Sequence, residues 1–351
     1  MAITTKGDRA ARPRVEMAEP VRDALGRVLD DLRISVTDRC NFRCPYCMPR
    51  SHFGPGHRFL PGSEQLTAAE IERLARLFAH LGVTRVRLTG GEPLLRRDLA
   101  EIVTRLAGLG FADLALTTNG ALLARHAAQL RRAGLRRVSV SLDSLDPATF
   151  AAMSDSRVRL GDVLDGIAAA QEAGLNPVRV NCVVQRGRND GEILDLVEWA
   201  RARSLEIRFI EYMDVGTSNG WQREQVVTAA EIVETVSRAH AIVPLVRERA
   251  AVARRYRFAD GMGAMGVIAS VTQPFCGDCS RARLSSDGRL YTCLFAAEGL
   301  DLRGPLRAGE PDEGLERLLG DRWRARTDRY SEMRASLPIP LRHVEMSYIG
   351  G

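Results

Sequence analysis

The chain has 351 residues, of which 45% are apolar and 27% charged, enough for one large α/β domain with a smaller appendage or for two ordinary domains. This composition excludes collagen-like, wholly disordered and disulfide-scaffold proteins. The formal charge of +6 suits a phosphate-bearing ligand and does not require nucleic acid. The sequence predicts no membrane-spanning helix and no secretory signal, and we expect a cytoplasmic protein.

Residues 1–30 mix Arg, Asp, Pro and Ala without a sustained period, and we expect them to form a mobile N-terminal extension. Over residues 31–240, short apolar runs alternate with segments of helical spacing. The six predicted strands are Leu32–Thr37, Thr84–Leu88, Asp113–Thr117, Val138–Leu142, Val178–Val184 and Leu205–Ile210. The predicted helices are Thr67–Leu81, Leu99–Leu109, Leu122–Ala133, Val163–Ala173 and Ile193–Ala202. This alternation predicts βαβ units in a parallel sheet, and we expect an incomplete (βα)6 barrel of the TIM type.

Chemically unusual turns follow the predicted strands. They are Asp38–Cys40, Gly90–Pro93, Thr118–Gly120, Asp143–Ser144 and Glu211–Asp214. In β/α barrels such turns gather at the C-terminal mouth, where active sites lie, so we expect one composite site. Residues 241–351 contain shorter strand-like pieces, Gly-rich turns and further cysteines. We expect them to form a C-terminal α+β module over that mouth.

The cysteine spacing is the strongest chemical signal. Seven cysteines are an odd number in a chain without a predicted secretory signal, which favours metal or cluster ligation over disulfides. Cys40, Cys44 and Cys47 form a C-x3-C-x2-C loop after the first strand. Three thiolates bind three irons of a cubane and leave the fourth iron open to a small chelating ligand. A structural zinc site completed by His52 or His57 is the alternative.

This loop resembles that of the radical S-adenosylmethionine superfamily, in which an aromatic residue, here Tyr46, precedes the third cysteine. The resemblance implies that the open iron binds the amino and carboxylate groups of S-adenosylmethionine, which is cleaved to a 5′-deoxyadenosyl radical. The Gly90–Pro93 turn matches the glycine-rich contact of the superfamily to the methionine amino group. Glycines there allow close approach of the backbone to a ligand.

A second cysteine group consists of Cys276, Cys279 and Cys293 and again offers three thiolates. A zinc knuckle completed by Cys182 or His240 is the alternative, because C-x2-C turns are frequent in zinc ribbons. Two such groups favour two [4Fe-4S] clusters, each with one iron free for a different ligand. Cys182 itself is predicted to be a small buried hydrophobic residue.

The segments Ser280–Gly288 and Met346–Gly351 are similar to those of the GTP 3′,8-cyclase family, which catalyses the first step of molybdenum-cofactor synthesis. The resemblance runs from about Leu32 to the terminal glycine pair. It implies that the second cluster binds the guanine of GTP and that arginines hold the triphosphate. Guanidinium groups bind phosphate oxygens bidentately and keep their charge when buried.

Carried over by motif, the resemblance implies substrate contacts at Arg33, Arg87, Thr117, Arg179, Arg281, Ala282 and Arg283. The residues implied to contact S-adenosylmethionine are Tyr46, Gly91, Ser141 and Met213. No acid or base is assigned, and Arg33, Arg281 and Arg283 are candidate assistants of a late radical. Arg179 stands where the family has a lysine, so fork binding replaces point-charge binding there.

The reaction implied by the resemblance converts GTP to (8S)-3′,8-cyclo-7,8-dihydroguanosine 5′-triphosphate. The radical takes hydrogen from the ribose 3′ carbon, which then adds to carbon 8 of guanine. An external electron donor is expected, nucleic acid and membrane partners are not, and monomer and homodimer both stay open. Two rival functions are a two-cluster radical enzyme that modifies peptides and an iron-sulfur or zinc regulator that contacts nucleic acid.

Overall fold

The computed structural model describes residues 19–248, 250–334 and 343–350. Its strands are β1 (Asp31–Ser35), β2 (Arg85–Thr89), β3 (Asp113–Thr118), β4 (Arg137–Ser141), β5 (Val178–Val184), β6 (Glu206–Glu211), β7 (Ile242–Pro244), β8 (Arg254–Phe258), β9 (Ala264–Ile268), β10 (Arg281–Leu284), β11 (Arg289–Tyr291) and β12 (Leu300–Asp301). Its helices are α1 (Ala68–His80), α2 (Leu99–Gly108), α3 (Leu123–Ala133), α4 (Pro147–Ser154), α5 (Leu160–Glu172), α6 (Ile193–Ala202), α7 (Ala229–Ala239), α8 (Arg303–Arg307), α9 (Asp312–Arg324), α10 (Tyr330–Met333) and α11 (Met346–Ile349).

The strands form one sheet in the order β12-β11-β10-β1-β2-β3-β4-β5-β6-β9-β8-β7. Strands β1 to β6 are parallel neighbours in chain order, as expected for successive βαβ units. The predicted incomplete (βα)6 barrel with a C-terminal α+β extension is therefore confirmed. All six predicted strands are present, and their observed bounds lie within two residues of the prediction.

The C-terminal extension contributes more than a cover over the mouth. Strand β9 pairs in parallel with β6, and β10 pairs in parallel with β1, so the extension lengthens the barrel sheet at both edges. Antiparallel strands β8 with β7, and β11 with β12, complete the two ends. The second cysteine group consequently sits beside the first barrel strand, because Cys279 lies two residues before Arg281 at the start of β10.

Local sequence signals set the helix ends. In α1 the Thr67 hydroxyl accepts a hydrogen bond from the Glu70 amide at 3.2 Å, and Glu70 accepts one from the Thr67 amide at 2.7 Å. Gly82 follows with a φ of +98°, a conformation that favours glycine. Helix α4 was not among the predicted elements. Its signal is Asp146, which accepts a hydrogen bond from the Thr149 amide at 2.8 Å, followed by a proline in the first turn.

Strand alternation separates the core from the site. In β1 and β2 the fully buried residues Leu32, Ile34, Val86 and Leu88 belong to the apolar core between sheet and helices. Of the alternate positions, Arg33, Arg87 and Thr89 line a cavity inside the barrel. Because successive strand side chains point to opposite faces, one strand supplies both the core and the site.

Residues 19–30 differ from the expected mobile extension, because they pack against the barrel. Leu29, Asp23 and Arg27 are buried, and the Val21 amide donates to the Leu81 carbonyl at 3.2 Å. Residues 1–18 lie outside the described residues. In the part of the chain that the structure describes, no helix has both the length and the apolar character needed to cross a membrane.

Candidate active site

Both cysteine groups line the same cavity at the C-terminal ends of the barrel strands. The cysteines on its wall are Cys40, Cys44, Cys47, Cys276, Cys279 and Cys293. The other predicted site residues on its wall are Arg33, Tyr46, Arg87, Gly91, Thr117, Ser141, Met213, Arg281 and Arg283. The predicted composite site thus corresponds to one continuous space.

The first cysteine group (Cys40, Cys44 and Cys47) lies in the loop after β1. Hydrogen bonds to backbone carbonyls shape the loop: the Cys47 amide donates to the Cys44 carbonyl at 2.9 Å, and the side-chain Nη1 of Arg43 donates to the Cys40 carbonyl at 2.7 Å. Burial raises the pKa of all three thiols, to about 12 for Cys40, where the nearby Glu92 carboxylate adds to the effect. These thiols are therefore neutral at pH 7 until a metal displaces their protons.

Two buried carboxylates support this loop. Glu92 accepts hydrogen bonds from the Thr118 hydroxyl and the Asn119 amide, both at 2.7 Å, and burial raises its pKa to about 7. Tyr46 donates its hydroxyl hydrogen to Asp143 Oδ2 at 2.5 Å, and burial raises the pKa of Asp143 to about 6. Glu92 thus connects the turn after β2 to the turn after β3, and Asp143 connects the turn after β4 to the first cysteine loop.

The glycine pair of the turn after β2 permits close contact between two loops. A Cβ on Gly91 would overlap the backbone of Arg39, and a Cβ on Gly90, whose φ is +133°, would overlap the Thr37 carbonyl. The Gly91 amide donates to that carbonyl at 2.9 Å. The turn predicted to approach a ligand therefore also fastens to the first cysteine loop.

The second cysteine group (Cys276, Cys279 and Cys293) has a different electrostatic setting. Burial alone would raise the pKa of the Cys279 thiol, but the guanidinium groups of Arg281 and Arg326 outweigh it and lower the pKa to about 6. Arg281 Nη2 lies 3.1 Å from Cys279 Sγ. Burial raises the pKa of Cys293 to about 11. One of the three thiols is thus largely thiolate at pH 7.

Three arginines project into the cavity without an anionic partner. Arg33, Arg87 and Arg283 form no salt bridge with any residue that the structure describes, and Nε of Arg33 and of Arg87 is buried without a hydrogen-bond acceptor. Burial lowers the pKa of each guanidinium, and repulsion from neighbouring arginines lowers it further, chiefly from Arg281 for Arg33 and from Arg33 for Arg87 and Arg283. Buried donors of this kind require an anion to compensate them.

Two predicted substrate residues do not line the cavity. Arg179, near the start of β5, has its Nε 3.4 Å from Glu206 Oε2, and Ala282 is buried on the opposite face of β10 from its arginine neighbours. Arg208 lines the cavity instead. In the ladder between β5 and β6, Arg208 lies opposite Asn181, which is two residues closer to the C-terminal ends of the strands than the pair of Arg179 and Glu206. The alternation of β6 places Arg208 and Ile210 on one face of the strand, but the register against β5 decides that Arg208 reaches the cavity wall.

Each cysteine group offers three thiols, the donor type that iron-sulfur clusters use. Among residues 19–248, 250–334 and 343–350, no three His, Cys, Asp or Glu side chains converge closely enough to hold one metal ion. The residues considered as fourth zinc ligands, which are Cys182, His240, His52 and His57, do not line the cavity. Cys182 is fully buried in the core, as predicted.

The C-terminal tail reaches the cavity. Arg283 Nη1 donates to the Gly350 carbonyl, and a Cβ on Gly350 would overlap the Thr89 side chain. Glu345 fastens the tail to the loop after β6 by accepting hydrogen bonds from the Thr217 amide at 3.0 Å and the Ser218 hydroxyl at 2.9 Å. Gly351 lies outside the described residues.

Two family models match the chain. The Radical SAM superfamily model matches residues 34–200, and the Molybdenum Cofactor Synthesis C model matches residues 205–332. The first match covers the cysteine loop and the barrel strands up to β5. The second covers β6 to α10, including the second cysteine group.

Curated relatives are similar along almost the whole chain. The GTP 3′,8-cyclase of Acidothermus cellulolyticus is 52% identical over 362 residues, which cover 95% of this chain and 100% of that protein. The enzyme of the same name from Xanthomonas axonopodis pv. citri is also 52% identical, and the one from Staphylococcus aureus is 45% identical, with the same coverage of both chains.

Among solved structures, SuiB of Streptococcus suis bound to its precursor peptide SuiA is similar with a TM-score of 0.62. The match covers 89% of this chain and 68% of that chain at 16% identity. SuiB bound to S-adenosylmethionine gives a TM-score of 0.59 at 15% identity and covers 83% of this chain and 68% of that chain. At such identities the likeness extends to the fold alone.

Proposed function

This chain belongs to the GTP 3′,8-cyclase family, and on that premise we propose which of its residues carry the reaction. It is a radical S-adenosylmethionine enzyme that uses a [4Fe-4S] cluster and takes GTP as substrate. It converts GTP to (8S)-3′,8-cyclo-7,8-dihydroguanosine 5′-triphosphate in molybdenum-cofactor synthesis and cleaves S-adenosylmethionine to 5′-deoxyadenosine and methionine. Our residue assignment is supported by one observation: both cysteine groups and the three arginines that lack an anionic partner face one cavity.

We assign the first cysteine group to the cluster that binds S-adenosylmethionine. When bound, this cluster supplies the electron that cleaves S-adenosylmethionine and thereby yields the 5′-deoxyadenosyl radical. The chain itself supplies Gly91, Tyr46, Ser141 and Met213 around that ligand. The hydrogen bond of Tyr46 to Asp143 fixes the aromatic ring beside the cysteines and so limits the positions open to the ligand.

We assign the second cysteine group to a second [4Fe-4S] cluster, whose open iron binds the guanine of GTP. The positive charge of Arg281 beside Cys279 favours the thiolate that such ligation needs. Because both groups line one cavity, the substrate held by the second group lies within reach of the radical generated near the first.

We assign the triphosphate to Arg33, Arg87, Arg281 and Arg283, with Thr117 beside them. Arg87 Nη1 lies 3.2 Å from Thr117 Oγ1, so the hydroxyl orients the guanidinium toward the cavity. The buried N–H groups of Arg33 and Arg87 that lack acceptors are donors for phosphate oxygens. Arg179 and Ala282 stay weaker assignments, because the cavity wall does not include them.

The remaining parts of the proposal concern the C-terminal tail, the electron donor, the cellular location and the domain division. The tail that meets Arg283 helps to close the cavity and so restricts the positions open to the substrate. An external donor supplies the electron. A cytoplasmic location and a division at residues 30 and 240 stay predictions.

The decisive experiment is anaerobic turnover. The chain is reconstituted with iron and sulfide, reduced, and incubated with S-adenosylmethionine with and without GTP, and the products are identified by mass spectrometry. We expect 5′-deoxyadenosine together with a cyclic isomer of GTP. If 5′-deoxyadenosine forms and GTP is unchanged, the substrate assignment is wrong, and ATP in place of GTP serves as the matched nucleotide control.

A further inference from the structure

A buried charge cluster from the N-terminal segment and the loop after α9 lies beneath the second cysteine group. We call it the clamp and define it as Asp23, Arg27 and Arg326. Asp23 Oδ2 accepts hydrogen bonds from Arg27 Nε at 2.6 Å and from Arg326 Nη1 at 3.3 Å. The side chains are 0%, 2% and 1% exposed, so solvent screens none of the three charges.

The clamp holds the backbone of both cysteines of the C-x2-C turn. Arg27 Nη1 donates to the Cys276 carbonyl at 2.9 Å and to the Asp328 carbonyl at 2.7 Å. Arg326 Nη1 donates to the Cys279 carbonyl at 2.7 Å. Each end of the turn is therefore fixed by a guanidinium group whose own position is set by Asp23.

Arg326 also brings its charge to the cavity. It lies on the cavity wall with Asp328, its Nε is 3.5 Å from Asp328 Oδ2, and its guanidinium stacks 4.5 Å from the Trp323 ring centroid. The Asp328 carboxylate is one-third exposed and partly screened, whereas Arg326 is almost wholly buried. The clamp itself contains two buried guanidinium groups and one buried carboxylate, so its unscreened net charge beside Cys279 is positive.

The stability of the fold does not by itself require the buried charges of the clamp. Removing three charges from water costs several kcal/mol for each ion, and apolar residues of similar volume often serve the fold as well or better. What apolar residues lack is the means to donate hydrogen bonds to two cysteine carbonyls and to place a fixed charge next to the ligand set.

We propose that Arg326 is a positioning residue for the second cluster: held by Asp23, it fixes the Cys279 end of the Cys276–Cys279 turn and stabilises the reduced, more negative cluster. The proposal rests on the proposed function, because it requires a cluster on the second cysteine group. It gives residues 19–30 a role in the active site.

The test compares full-length Arg326→Gln and Arg326→Lys with wild type and with Arg238→Gln, a control in an exposed ion pair of α7. Each protein is reconstituted anaerobically and titrated with a one-electron chemical reductant. The reduced signal that GTP alters is followed by electron paramagnetic resonance. We expect Arg326→Gln to shift the reduction equilibrium about tenfold toward the oxidised form, which equals about 59 mV for one electron.

Arg326→Lys keeps the charge and loses the planar fork, so we expect a midpoint close to wild type. An ammonium group cannot bridge Asp23 and the Cys279 carbonyl as the guanidinium does, so we expect iron release to a chelator about tenfold faster than from wild type or Arg238→Gln. If Arg326→Gln fails to bind iron, the rate of iron release from Arg326→Lys decides whether Arg326 positions the second cluster. Unchanged iron release from Arg326→Lys together with no midpoint shift in a loaded Arg326→Gln would overturn the proposal.

Failure of the proposed function is visible in the wild type. Two clusters give about eight irons per chain, whereas about four irons, or signals that ignore GTP, would remove the second cluster and this proposal with it. If the wild type holds both clusters while the midpoint of Arg326→Gln and the iron release of Arg326→Lys are both unchanged, only the role of the clamp is overturned.

Discussion

The two cysteine groups have the same donor set and opposite surroundings. Around the first group the buried charged neighbours are the carboxylates Glu92 and Asp143, and burial raises the pKa of all three thiols. Around the second group the guanidinium groups of Arg281 and Arg326 outweigh burial and lower the pKa of Cys279 to about 6. Two triplets that look alike in the sequence are therefore electrostatically different.

The difference matches the charge of the two ligands that we assign. S-adenosylmethionine carries a sulfonium and an amino group, and carboxylates near the first cysteine group favour such cations. GTP carries a triphosphate, and the arginines near the second group compensate it. Surrounding charge, rather than the cysteine spacing, thus supports our assignment of one ligand to each cysteine group.

The largest expected effect separates the two groups outright. Cys276→Ala removes a ligand from the second cluster only, so we expect S-adenosylmethionine cleavage to continue while the cyclic product falls below detection. Cys44→Ala, the matched change in the first group, is expected to abolish both. Quantifying 5′-deoxyadenosine and cyclic product by mass spectrometry checks this, and parallel loss of both products in Cys276→Ala would contradict separate roles.

The arginine side of the comparison is tested by Arg87→Gln. A charged hydrogen bond contributes about 1.5 to 3 kcal/mol, so we expect the KM for GTP to rise about tenfold to a hundredfold. The KM for S-adenosylmethionine should stay unchanged. Arg132→Gln, on the exposed side of α3, is the control and should change neither value. Equal increases in both KM values in Arg87→Gln would mean that the two ligand sites are not electrostatically distinct.

The buried carboxylate of Glu92, near the first cysteine group, predicts that the free energy of unfolding of the metal-free chain depends on pH. Burial raises the pKa of Glu92 from 4.5 to about 7, so the stability it contributes is full below pH 4.5 and lost as pH rises through about 7. At about 1.36 kcal/mol for each pKa unit, the expected loss reaches up to about 3 kcal/mol. Denaturant unfolding of wild type and Glu92→Gln between pH 4.5 and 8 measures it. A slope that persists in the variant would place its origin elsewhere.

The smallest expected effect concerns the tail that joins the two sides. Gly350 has a φ of +73°, and a Cβ there would overlap Thr89, so Gly350→Ala should displace the tail from Arg283. We expect kcat/KM for cyclisation to fall about tenfold, since a left-handed residue costs about 1 to 2 kcal/mol. Gly309→Ala is the matched control, with a φ of +85° and open space around its Cβ. A similar fall in both variants would indicate general destabilisation.

Most of the barrel was predictable from local sequence. The strand bounds followed from runs such as Val178–Val184, which the structure reproduces residue for residue, and the start of α1 followed from the capping box of Thr67 and Glu70. Helix α4 was missed because it has eight residues with no apolar stripe, although its Asp-Pro start was readable. Local signals suffice where hydrogen bonds connect residues close in the chain.

The sequence by itself determined the order of the six barrel strands, the two cysteine groups and the arginines beside them, because spacing and strand alternation are local properties. Only the tertiary structure decided that Arg208 rather than Arg179 lines the cavity, since this depends on the register of β5 against β6. It also decided that Asp23, which pairs locally with Arg27, meets Arg326 beneath the second cysteine group. Contacts between residues some three hundred positions apart arise from packing of the whole chain, and no local pattern encodes them.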